Sequence, residues 1–149
     1  MNNHQNQTEG MFNIDELMND LFLYVNQELQ KHGKTHIEAN ISCHSKTETC
    51  QIDADEERLW QILVHLLDNA VKYIHRGFIL FGYRLSGMDS VDFFVNDTRT
   101  ENYNINLSVV HTLAEQMGSS LKVIPTEDRI SSFSFTVKGL TKVAEPRQS

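Results

Sequence analysis

Apolar residues recur along this chain in two rhythms, and the switches between them divide it into elements. Ile14, Leu17, Met18, Leu21, Val25 and Leu29 are spaced for one face of a helix over about 14–31. Asn13 is placed to cap that helix, Asp15 and Glu16 suit its first turn, and Gly33 ends it. Ile37, Ala39 and Ile41 alternate with polar residues and predict a strand. A polar turn over 44–48 then leads into a short return strand over 50–52. The longest helical stripe is Leu59, Ile62, Leu63, Leu66, Leu67, Ala70, Val71 and Ile74, in a helix capped by Asp55 and stopped by Gly77. Strands follow over 78–84 and 91–95, joined through Ser86, Gly87 and Asp89. A third helix spans about 105–117, and a terminal hairpin joins 121–124 to 131–137 with Phe133, Phe135 and Val137 on one face.

The order of helix, two strands, three times over, predicts an α+β fold. Hairpin pairs imply a mostly antiparallel sheet with the helices layered on one face, a two-layer sandwich. Residues 1–11 are expected to be disordered and 139–149 to form a flexible tail, leaving one domain over 12–138. A net charge of −7 argues against non-specific binding to nucleic acid or to an anionic membrane. Cys43 and Cys50 do not make a disulfide framework and read as free thiols. No apolar run reaches the roughly 20 residues of a membrane span, so the expected location is the cytoplasm.

The long helix has a second stripe. His65, Asn69 and Lys72 fall together on a polar face at about 100° per residue. From the residues alone, a solvated face is the simplest account. Four motifs in order change that. FNIDELMNDL, from Phe12, opens the first helix, DEERLWQILVHLLDNAVKY contains the polar face, VDFFVNDT ends a strand on Asp97, and LSVVHTLAEQMGSSLKV forms the third helix and the next strand. Together they resemble the ATP-binding catalytic domain of sensor histidine kinases, within the Bergerat-fold ATPases, over about 12–137. The DEERLWQILVHLLDNAVKY segment resembles the family's N box and is the most specific of the four.

The resemblance implies roles for individual residues. Asn69 stands at the asparagine that coordinates magnesium on the triphosphate, which suits an amide oxygen as a hard ligand. Lys72 stands at the phosphate-contacting lysine, and Tyr73 at an aromatic position beside the nucleotide. Asp97 matches the aspartate that accepts a hydrogen bond from the adenine amino group. His65 stands where the family commonly has asparagine, and is the catalytic candidate, able to bond phosphate. ATP and Mg2+ are the implied cofactors. A histidine-kinase dimerisation domain or a response regulator is the implied partner.

The sequence also departs from the family's glycine boxes. The first should read aspartate, any residue, glycine; here it reads Asp97, Thr98, Arg99. Glycine serves there because nucleotide must approach bare backbone. Where the second box carries glycines at the mouth of the third helix, this chain has Asn104 and Asn106. Arg99 is also close enough in sequence to pair with Asp97. Only Thr100, Glu101, Asn102 and Tyr103 lie between the boxes, where the family has a lid several times longer. No histidine lies in the family's phospho-acceptor context.

Three functions therefore remain open. The first is a degenerate histidine-kinase ATPase domain, a pseudokinase with weak or lost ATP binding that acts through protein contacts. The second is a working catalytic domain that transfers the γ-phosphoryl group to a histidine on a dimerisation domain. The third is a serine kinase like the anti-sigma factors.

Overall fold

The computed structural model describes residues 10–42, 48–98, 107–125 and 131–144. Among the described residues, eight strands and three helices run in the order β1 (Gly10–Asn13), α1 (Ile14–Lys31), β2 (Glu38–Ser42), β3 (Glu48–Ala54), α2 (Glu56–Tyr73), β4 (Phe78–Ser86), β5 (Ser90–Asp97), α3 (Ser108–Gln116), β6 (Lys122–Pro125), β7 (Ser131–Lys138) and β8 (Leu140–Ala144).

The two long helices start where capping chemistry places them. The Asn13 side chain accepts from the Glu16 backbone N–H at 3.1 Å, and Asp55 does the same for Arg58 at 3.1 Å. Helix α3 starts at Ser108, later than its apolar spacing predicts, and its first turn has no side-chain cap.

A five-stranded sheet in the order β2-β4-β5-β7-β6 carries the helices, and the two-layer α+β sandwich expected from the pattern is present. All its pairings are antiparallel except β2 with β4. The inward face holds a row of rings across three strands, with Tyr83 opposite Phe93 and Phe93 opposite Phe135. The Phe93 and Phe135 rings stack with centroids 5.6 Å apart. Such a pair adds roughly 0.5–1.5 kcal/mol beyond its buried area. The apolar stripes of α1 and α2 close over this row, and all seven buried residues of the α2 stripe are at most 2% exposed.

Three expectations need correction. First, β2 and β3 do not form a hairpin. β2 runs parallel to β4, a pairing that needs a crossover such as α2 between the two strands. Alternation marks a strand but does not name its partner. Gly82 allows this pair to close, because a Cβ there would overlap the Ser42 carbonyl. Second, β3 is longer than the 50–52 expected and belongs to a separate three-stranded sheet, β1-β3-β8. Third, that sheet takes in residues 10 and 11 on one side and 140–144 on the other, which the pattern assigns to a disordered segment and a tail. These strands have four and five residues, too few for an alternation to register. Gly139, at a φ of +109°, carries the chain between the sheets, and a Cβ there would lie 2.6 Å from the Asp53 carbonyl oxygen.

The Cys50 thiol is buried and forms no disulfide. Cys43 lies outside the described residues.

Candidate functional site

The C-terminal half of α2 carries four of the side chains singled out in the sequence. His65 and Lys72 are exposed, while Asn69 and Tyr73 are half-buried. Because α2 is unbroken from Glu56 to Tyr73, His65, Asn69 and Lys72 lie along one side of it. The Lys72 Nζ stands over the Tyr73 ring, 5.3 Å from its centroid. Among the described residues no three His, Cys, Asp or Glu side chains converge on a metal-sized site.

Asp97 ends β5 and is fully buried. It shares the helix-facing side of the sheet with Phe93 and Val95, in the strand against which α2 packs. Its register partner across the sheet is Ile79, two residues past Gly77. The next residue, Thr98, ties the two regions together. Its hydroxyl accepts from the Phe78 N–H at 2.9 Å and donates to the Arg76 carbonyl at 2.9 Å. The end of β5 is thus fastened to the segment leaving α2. The structure in this way brings the Asp97 end of the sheet toward the Tyr73 end of the helix.

Solved structures of similar fold identify the architecture. The histidine kinase AdeS of Acinetobacter baumannii matches with a TM-score of 0.72 and 15% identity, over 89% of this chain and 68% of that one. The catalytic domain of histidine kinase ThkA matches at 0.73 and 17% identity, over 88% of this chain and 96% of that one. Full-length ShkA, solved in complex with AMPPNP, matches at 0.77 and 23% identity, over 95% of this chain but 33% of its own length. This chain has the fold of a histidine kinase catalytic domain. No protein-family model matches it, and no curated protein matches it in sequence.

On this fold, four of the expected site residues, His65, Asn69, Lys72 and Tyr73, fall on the C-terminal half of α2 and a fifth, Asp97, ends β5. The other three, Arg99, Asn104 and Asn106, lie outside the described residues, as does any pairing of Arg99 with Asp97. Sequence reading missed two residues that build this region, Thr98 and Lys34. Neither was given a role by its motif or spacing: the Thr98 hydroxyl bonds Arg76 and Phe78, and the Lys34 ammonium bonds the Val71 and Lys72 carbonyls, all backbone groups distant in sequence.

A cavity of about 770 Å3 opens elsewhere, between the start of α2, the end of α3 and the end of β7. Arg58 on its wall bonds Asp55 at 2.7 Å and Gln116 at 2.8 Å, so its charge is already matched. Arg58 and Lys72 are separated by roughly 20 Å of helix, at about 1.5 Å per residue. The candidate site is placed by the polar face of α2 and by Asp97, not by the size of this distant cavity.

Proposed function

We propose that the chain is a histidine-kinase-type ATPase domain of cytoplasmic two-component signalling, with a degraded nucleotide site. ATP binding is weak or lost, and the domain acts through contacts with a histidine-kinase dimerisation domain or a response regulator. The observation that carries the ATPase ancestry is the fully buried Asp97 at the end of β5, beside the end of the helix that bears Asn69, Lys72 and Tyr73. Degradation is argued from Arg99, Asn104 and Asn106, which put side chains where phosphate and base need bare backbone. Phosphoryl transfer depends on positioning and charge neutralisation, so a substituted cradle and a four-residue connection in place of a lid weaken it severely.

The neighbours support the setting. ThkA has been solved in complex with the response regulator TrrA, and ShkA with AMPPNP. Among the described residues no helix is long and apolar enough to cross a membrane. On this reading Asp97 would accept from an adenine amino group, Lys72 and His65 would meet phosphate, and Asn69 would hold the magnesium ion. On the same reading the substituted cradle does not fit the triphosphate.

A second reading, a working ATP-binding catalytic domain, is favoured by the burial of Asp97, which a site freed of selection would not need to keep. Titration with magnesium-ATP separates the two, since low-micromolar binding lost in Asn69→Ala supports only the second.

A further inference from the structure

The end of α2 is held from outside the helix. The last carbonyls of any α-helix lack partners within it and carry the negative end of its dipole. Lys34, in the connection between α1 and β2, places its ammonium 2.6 Å from the Val71 carbonyl oxygen and 3.1 Å from that of Lys72. Two residues on, His36 Nε2 donates to the His75 carbonyl oxygen at 2.7 Å. Lys34 is half-buried, and this desolvation pulls its pKa below the ordinary lysine value. Among the described residues no carboxylate pairs with it. Its charge is instead set against the carbonyl end of α2.

A lysine in a helix's last turn can itself fold back on those carbonyls. Lys72 does not; it is turned over the Tyr73 ring. Lys34 fills the capping role instead, and the Lys72 ammonium stays over the Tyr73 ring.

We infer that Lys34 is a positioning residue of the candidate site: by bridging the Val71 and Lys72 carbonyls it fixes the last turn of α2, and with it the directions of Lys72 and Tyr73. The bearing of this on nucleotide binding rests on the ATPase reading above. The hold on the helix end does not.

The test uses the nucleotide-free chain, so failure of the ATPase reading leaves it intact. Lys34→Met keeps the length of the stem and removes the donors; Lys34→Arg keeps both charge and donors. Amide hydrogen exchange is followed by NMR at Tyr73 and Ile74, with Leu63 and Leu66 as mid-helix references. The ring-current displacement of the Lys72 ε-protons by Tyr73 is followed alongside. In Lys34→Met, exchange at Tyr73 and Ile74 rises by about tenfold or more while the mid-helix rates move less than about twofold. The Lys72 ε-proton shift also moves toward that of free lysine. Lys34→Arg restores both readouts. If Lys34→Met does not fold, Lys34→Leu, which also lacks a donor, takes its place with the same expectations. Unchanged exchange and an unchanged Lys72 shift overturn the inference, as does uniform acceleration along the whole of α2, the mark of a general loss of stability.

Discussion

Gly77 and Thr98 interlock where β5 ends beside the exit of α2. Gly77 has a φ of +106°, and a Cβ added to it would overlap the Thr98 hydroxyl and stand 2.9 Å from the Thr98 Cβ. The space a side chain would need is filled by the hydroxyl that bonds Arg76 and Phe78. The one contact therefore explains both residues.

Gly77→Ala is expected to destabilise the domain by about 2–4 kcal/mol, through the left-handed backbone and the overlap together. Thr98→Ala is expected to cost about 1–2 kcal/mol, from the backbone groups it leaves unpaired. The double variant should cost less than the sum, with a coupling of at least roughly 0.5 kcal/mol, since the overlap loses its hydroxyl partner. Urea unfolding of the four proteins measures this. Strict additivity would show that the two residues do not share the space.

Tyr83 makes stability fall at high pH. Burial first, then its 2.7 Å hydrogen bond to Asp15 and its contact with the Cys50 thiol, raise its phenol well above the ordinary value. Tyr24 is raised by burial and by its 2.6 Å bond to Asp68. The unfolded chain loses these protons from about pH 10, while the native state keeps them. The unfolded state then binds fewer protons, so native stability declines as pH rises above about 10. Tyr83→Phe should flatten that decline in denaturant unfolding between pH 9 and 11 (a range set by the roughly pH 10 phenol value). It should also cost about 1–2 kcal/mol at neutral pH, from the partner lost to Asp15. An unchanged alkaline slope would remove Tyr83 from the account.

The long elements were legible because periodicity repeats within them. Helix α2 shows five turns of stripe with a cap residue before it, β7 alternates through Phe133, Phe135 and Val137, and β4 and β5 are runs of nine and eight residues rich in apolar and aromatic side chains. The second sheet was not legible. Its outer strands are four and five residues long, and its pairing joins segments from both ends of the chain. The parallel β2–β4 pair was missed because sequence neighbours were assumed to be spatial neighbours, which a crossover helix defeats. In the site, Asn69, Lys72, Tyr73 and Asp97 carry recognisable spacing. Lys34 and Thr98 act on backbone groups 37 and 22 residues away, and no local pattern reports such a bond.

Restoring the cradle should restore affinity. Arg99→Gly combined with Asn104→Gly and Asn106→Gly is expected to strengthen magnesium-ATP binding at least about tenfold over the native chain, or about 1.4 kcal/mol. NMR shift changes at Asn69 and Lys72 would report it. If the triple variant gains nothing, the glycine positions are not what weakens the site.

The account turns on whether side chains at positions 99, 104 and 106 exclude the nucleotide. Titration calorimetry of the native chain with magnesium-ATP tests this most directly. The account predicts a Kd weaker than about 1 mM, or no detectable heat of binding. Low-micromolar affinity that disappears in Asn69→Ala would contradict it and establish a working ATP site.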